Sequence, residues 1–129
     1  METKKKLKNY RNYFIWDYAA RDDIKMRKLL RIESMAGYGI CLVIIELIYE
    51  MGGEVDLDTI LFEFKRYSDV DEEKVISILN NYDLFTKTNN NIYSNERVKK
   101  AIQDRIIASE RKRKGGIASG ESRRKNKLL

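Results

Sequence analysis

The sequence predicts a mainly α-helical domain with a small β-hairpin, and three observations support this class. Its 129 residues, 43% of them apolar, are enough for one domain with a core. Apolar residues recur at helical spacing, most clearly where Ile40, Val43, Ile44, Leu47 and Ile48 fall at i, i+3, i+4, i+7 and i+8. Two β-favouring runs also flank an asparagine-rich turn, which is typical of a hairpin.

The central predicted helix, which carries this stripe, is expected to hold the core. Leu42, Ile45 and Tyr49 partly fill its opposite side, so it should have neighbours on more than one face. Glu46 and Glu50 are its solvent-facing residues. The apolar run is too short and too often interrupted by charge to span a bilayer, which needs about 20 apolar residues.

A shorter helix is predicted before the central one. Asp22 or Asp23 should cap its N-terminus, because a carboxylate there accepts hydrogen bonds from unpaired N–H groups. Met26 and Leu29 mark its inner face. A glycine-containing turn at 37–39 is expected to separate the two helices, since glycine alone adopts positive φ freely.

Two more helices are predicted after the glycine pair at 52–53, which should end the central helix. The segment 54–57 is short enough for a one-rung strand. A third helix should start at Asp58, and after a turn at 67–70 a fourth should start near Asp71. Both have apolar residues at helical spacing, so both should pack inward.

The β-favouring runs 83–88 and 92–94 flank three asparagines, which tolerate the left-handed conformations that a hairpin turn requires. The final helix follows directly and is expected to end at Gly115 and Gly116. Beyond them no apolar face is sustained, so a basic tail at 111–129 is predicted to be disordered or to fold only on binding.

This order of elements is that of a winged helix-turn-helix protein. The third and fourth helices would supply the helix-turn-helix, and the hairpin would supply the wing. The predicted domain covers residues 13–110 and is preceded by a flexible basic arm at 1–12. Four aromatic residues at the start of the domain, Tyr13, Phe14, Trp16 and Tyr18, could stack on nucleic-acid bases, but core lining is the favoured interpretation.

Charge is distributed unevenly along the chain, whose formal net charge is +6. Residues 1–11 carry a net charge of +4 and residues 97–129 carry +9, whereas residues 12–96 carry −7. A basic segment is suited to a polyanion, most often nucleic acid. The alternative is that the basic ends only keep the protein soluble.

The sequence therefore predicts DNA contacts without base reading. The fourth helix opens with Asp71, Glu72 and Glu73, which repel phosphate, so major-groove reading by this helix is disfavoured. Cations at the hairpin, on the last helix and in the tail would instead bind phosphates, which positions a protein without selecting a sequence. These residues are Lys87, Arg97, Lys99, Lys100, Arg105, Arg111, Lys112, Arg113, Lys114, Arg123, Arg124 and Lys125.

Catalysis has little support in the residues. The chain has no histidine, and its one cysteine, Cys41, sits in the central helix, where a reduced, buried role fits a cytoplasmic protein. No glycine-rich phosphate loop of known spacing occurs. The acidic pairs at 22–23 and 56–58 are explained by helix capping. We therefore expect no enzyme activity, no metal and no cofactor.

Short motifs in a fixed order carry a family resemblance. They are Tyr13-Phe14-x-x-Asp17, Asp23-x-Lys25, Gly37-Tyr38-Gly39-Ile40, Ile45-Glu46, Tyr49, Gly52-Gly53, Asp71-Glu72-Glu73-Lys74, Leu84-Phe85 and Ile92-Tyr93-Ser94-x-x-Arg97. With them the chain resembles the N-terminal winged-helix domain of phage and mobile-element replication-initiation proteins, the DnaD-like and replisome-organiser type. The resemblance implies a domain that binds DNA or assembles replisome components.

Two alternative functions remain open at this stage. The first is a protein-interaction module that offers its acidic winged-helix face to a host or replisome partner. The second is a transcriptional regulator, although the sequence supplies no convincing base-reading residues. None of the three functions requires a membrane.

Overall fold

The computed structural model of the chain describes residues 16, 19–88 and 90–128. They form a mainly helical domain with a small antiparallel sheet, as predicted. The helices are α1 (Ile24–Glu50), α2 (Leu57–Phe64), α3 (Glu72–Asn81) and α4 (Glu96–Leu128), and the strands are β1 (Glu54–Asp56), β2 (Thr86–Thr88) and β3 (Ile92–Ser94). Along the chain the order is α1-β1-α2-α3-β2-β3-α4, and a short 3₁₀ turn at Ala20–Asp22 precedes α1.

The sheet has the strand order β1-β3-β2, with both pairings antiparallel. The predicted hairpin is confirmed, because β2 and β3 pair with Lys87 opposite Tyr93. Asn90 and Asn91 adopt positive φ at its turn, the conformation that asparagine was expected to supply. On the other side of β3, Val55 lies opposite Tyr93, so the predicted short strand completes the sheet.

Helix α1 corresponds to the first two predicted helices, joined across a kink at Ser34 (φ 65°, ψ −169°). The prediction of a turn at 37–39 is therefore wrong: Gly37 and Gly39 are helical, and the break comes earlier. Non-glycine residues rarely adopt the conformation of Ser34, so tertiary contacts must hold it. The predicted cap is confirmed at Asp23, whose side chain accepts from the backbone N–H groups of Lys25 and Met26.

Glu33 supplies the contacts that hold the kink. One of its carboxylate oxygens accepts hydrogen bonds from the Tyr82 hydroxyl at 2.9 Å and from Ser77 Oγ at 3.3 Å. Burial raises the pKa of Tyr82, and the Glu33 hydrogen bond raises it further. Because Ser77 and Tyr82 lie on and directly after α3, Glu33 attaches the end of the first half of α1 to that helix.

The core lies between α1, α2, α3, the sheet and the first turns of α4. Of the predicted central stripe, Ile40, Ile44, Leu47 and Ile48 are buried and Val43 is half-buried. Tyr93 at the middle of the sheet is buried, and its hydroxyl donates to Asn80 Oδ1 at 3.0 Å. Other buried members are Leu29, Cys41, Val55, Ile60, Phe64, Val75, Ile78, Leu79, Val98 and Ile102.

Contrary to the sequence-based expectation, helix α1 is long and apolar enough to cross a membrane when only length and composition are considered, because it joins both predicted helices. Among the described residues it is the one helix of this kind. The buried core helix of a soluble protein can be equally long and equally apolar. Here Cys41, Ile44 and Ile48 are fully buried against other elements of the domain. The packing is that of a small soluble-like domain.

The last helix extends further than predicted. It continues through Gly115 and Gly116 to Leu128, so the prediction that it ends at this pair is wrong, and residues 111–128, expected as a disordered tail, are helical. Glycine lowers helix propensity by about 1 kcal/mol relative to alanine but does not forbid helical backbone angles. Residues 1–12 and 129 lie outside the described residues, so the predicted basic arm does too.

Trp16 is the one member of the predicted aromatic cluster within the described residues. It is half-buried against the core, and its indole Nε1 donates to the Tyr38 hydroxyl at 3.1 Å. This placement agrees with the core-lining interpretation. Tyr13, Phe14 and Tyr18 lie outside the described residues.

We expect Cys41 to react with thiol reagents only when the protein unfolds. Burial raises the pKa of its thiol to about 12, and the side chain is 0% exposed, so the reactive thiolate is scarce and inaccessible. A thiol-specific chromogenic reagent at mildly alkaline pH should modify the native protein slowly and the denatured protein at once. Rapid modification under native conditions would contradict this burial.

Candidate nucleic-acid interface

The first turns of α4 attach it firmly to the body. Asn95 caps the helix, because its Oδ1 accepts from the Val98 N–H at 3.0 Å while its Nδ2 donates to the Leu84 carbonyl oxygen at 2.7 Å. Val98 and Ile102 follow at four-residue spacing and are buried in the core. The end of the hairpin and the core therefore fix the direction of α4.

Arg105, which was predicted to contact DNA, also helps to attach α4 to the body. Its guanidinium lies 5.5 Å from the centroid of the Tyr49 ring, in a cation–π arrangement with α1. Burial raises the pKa of Tyr49, and the Arg105 charge counteracts part of that increase. Arg105 is half-buried, so of the predicted contact residues on α4 it is the one most involved in packing.

The remaining cations of the first half of α4 are exposed. Arg97, Lys99 and Lys100 lie in its first two turns. Because successive helical residues are rotated by about 100°, these three side chains leave the helix in different directions. They are spread over the solvent-facing side of the start of α4, opposite the buried Val98 and Ile102, and do not form a narrow stripe.

Lys87 lies on a different part of the molecule. It is exposed on the edge strand β2, with its Nζ 6.0 Å from the centroid of the Tyr93 ring on β3. The structure thus places one of the predicted contact residues on the sheet and the other eleven on α4.

The second half of α4 carries two basic clusters. The first cluster is Arg111, Lys112, Arg113 and Lys114, and the second is Arg123, Arg124 and Lys125; all seven residues are exposed. Within the first cluster, Arg113 Nη2 pairs with Glu110 Oε2 at 3.0 Å. The centres of the two clusters are roughly 17 Å apart along the helix, from a rise of about 1.5 Å per residue.

The start of α3 has the opposite charge. Asp71, Glu72 and Glu73 are exposed there, and Asp71 occupies the N-cap position without a side-chain cap bond. Carboxylates are favourable at a helix N-terminus, which accounts for them structurally. The surface of α3 that a groove-reading helix would present is therefore acidic at its leading end.

Metal binding finds no support in the described residues. They contain no group of three or more His, Cys, Asp or Glu residues that could hold a metal ion. Asp56, one of the paired acids considered for a catalytic role, caps α2 as predicted by accepting from the Thr59 N–H at 3.2 Å. The Thr59 side-chain hydrogen bond lowers the pKa of Asp56.

Sequence reasoning missed the contacts that hold the α3 side of the domain. Glu33 bonds to residues 44 and 49 positions away, and no local pattern marks that pairing. It also missed the helical state of residues 111–128. The lack of proline, which would break such a helix, could have pointed to it.

Fold and charge together define a small, mainly helical domain with a three-stranded antiparallel sheet and a long cationic C-terminal helix. The chain belongs to the family described as Lin1244/Lin1753-like, N-terminal, whose model matches residues 13–104. The match ends within the first half of α4, so both basic clusters lie beyond it. No curated protein and no solved structure matches the chain significantly.

Proposed function

We propose that this protein is a non-enzymatic, cytoplasmic DNA-binding protein on a winged helix-turn-helix scaffold. The element order α1-β1-α2-α3-β2-β3-α4 and the strand order β1-β3-β2 support this scaffold, with α2 and α3 as the helix-turn-helix and the β2–β3 hairpin as the wing. The motif resemblance adds a role in replication initiation or at the replisome of a phage or mobile element.

The observation that carries the proposal is the separation of charge. Exposed cations follow α4 from Arg97 to Lys125, while the body that carries α4 is acidic. Lys and Arg side chains that neutralise phosphates release counterions and so supply affinity for any DNA sequence. Since α3 begins with carboxylates, DNA contacts would come from α4 and Lys87, with little selection of sequence.

A salt titration of DNA binding tests the proposal. Fluorescence anisotropy with random-sequence duplex and single-stranded DNA should show binding whose affinity falls steeply with salt. If five or more phosphates are neutralised, the slope of log K against log salt concentration should be about −4 or steeper on duplex DNA. No binding to either form at low salt would reject the proposal.

A protein-interaction module is the second candidate, and the surface of α2 and α3 supports it. Glu72 and Glu73 are exposed, and neither takes part in an ion pair within the described part of the chain. Phe62 on α2 is also 71% exposed. Exposed carboxylates suit a basic protein partner. Reversing both charges (Glu72→Lys, Glu73→Lys) should abolish such a complex and leave DNA binding intact or stronger.

A further inference from the structure

The second half of α4 is exposed at nearly every residue between 111 and 125, the part of it whose side chains the structure describes. Residues 111–119 and 121–125 are exposed, whereas Val98 and Ile102 in the first half are buried. Ile117, the one large apolar residue between positions 111 and 125, is 48% exposed. Most helical stability in proteins comes from packing of an apolar face, and this segment lacks such packing.

The segment also contains three glycines that packing does not require. A Cβ at Gly115, Gly116 or Gly120 would have nothing within 4 Å, and none of the three has a positive φ. Each glycine lowers the equilibrium constant for helix formation about fivefold relative to alanine. The sequence therefore weakens this helix at positions where alanine would fit.

Electrostatic repulsion weakens it further. Residues 111–125 carry seven cations and one acid, Glu121. Pairs such as Arg111 and Lys114 lie three residues apart, where like charges on a helix repel each other. The helix is nevertheless continuous with the attached first half of α4, so it can extend without the unfavourable nucleation step. The segment is thus a helix of low intrinsic stability.

We propose that residues 111–128 undergo a coil-to-helix transition that is completed when nucleic-acid phosphates neutralise the two basic clusters. This inference rests on the proposed DNA-binding function and specifies how that site works. Phosphates remove the repulsion, and the helix then holds the clusters at a fixed separation. When residues 111–128 are helical in only a fraction of the free molecules, DNA binding is weaker. The apparent dissociation constant is then the intrinsic dissociation constant divided by the fraction of molecules in which the helix is formed.

The test combines two measurements on the full chain: fluorescence anisotropy for binding and far-ultraviolet circular dichroism for helix content. On saturation with duplex DNA, the protein should gain helix equivalent to roughly ten to fifteen residues, the order of a segment that folds on binding. The variant Gly115→Ala, Gly116→Ala, Gly120→Ala should already have most of this helix when free. It should bind up to about tenfold more tightly.

Gly39→Ala is the matched control. Gly39 is an exposed helical glycine of α1 whose added Cβ would also meet nothing within 4 Å. This variant should gain the same helix on binding as the unmodified protein and should bind DNA equally well. A tighter-binding Gly39→Ala variant would show that the effect is not specific to α4.

The outcomes separate the inference from the function. Salt-dependent binding without a gain of helix, or equal affinity of the triple alanine variant and the unmodified protein, overturns the transition and leaves DNA binding in place. Absence of anisotropy change with any DNA overturns the function and the inference together. Helix gain with single-stranded DNA equal to that with duplex supports the transition and shows that phosphates, not groove shape, drive it.

Discussion

Replacing Arg111, Lys112 and Lys114 with glutamine is expected to weaken duplex binding by one to two orders of magnitude at moderate salt. The slope of log K against log salt should become shallower by about 2.7, at about 0.9 per lost phosphate contact. Glutamine retains helix propensity, and the Arg113–Glu110 pair remains. The change also relieves like-charge repulsion within the helix, which should raise its helix content but cannot replace the three lost phosphate contacts. Anisotropy titrations at several salt concentrations measure both quantities.

A matched control removes the same charge from the body. Arg27, Lys28 and Arg31 are exposed on the first half of α1. Their replacement with glutamine should leave the salt slope almost unchanged. Equal losses in the two triple variants would mean that net charge, and not α4, governs binding, and the placement of the interface on α4 would be rejected.

Gly37→Ala is expected to destabilise the fold by about 2 kcal/mol, within the range of about 1–3 kcal/mol seen for overpacking. Gly37 is buried, and a Cβ there would overlap the Cβ of Glu33, which cannot move away as the end of a flexible side chain can. Moving Glu33 would also disturb its hydrogen bonds to Ser77 and Tyr82. Denaturant unfolding measures the effect, with the single tryptophan, Trp16, as fluorescent probe.

Two residues further along, Gly39→Ala supplies the comparison. It adds the same methyl group to the same helix but to an open, exposed site, so it should stabilise the protein by about 0.5–1 kcal/mol. The two variants should therefore differ in sign. Equal stabilities would show that Glu33 does not pass close to Gly37, and the description of the kink would be wrong.

The parts of the fold that local signals specify could be predicted from the sequence. The cap at Asp23, the start of α2 and the hairpin with its asparagines depend on residues a few positions apart. The kink was placed wrongly because glycine is the local signal for a turn. In the structure the break at Ser34 is held by Glu33, whose partners are far away in sequence.

The candidate site was predicted in composition but not in arrangement. Charge counting identified the cations, and their binding to DNA stays a prediction. Charge counting could not show that Arg105 packs over Tyr49, because that contact depends on how α4 lies across α1. The helical state of residues 111–128 was missed because the low helix propensity of glycine was considered alone. The first turns of α4 are already helical, and the helix extends from them without a new nucleation step.

The uneven distribution of charge, with +9 on residues 97–129 and −7 on residues 12–96, gives this molecule a permanent dipole moment. In the field of any polyanion, such a molecule is oriented before contact, so that its cationic last helix approaches first. The rate of productive encounter should therefore fall with ionic strength even where the final contacts are unchanged.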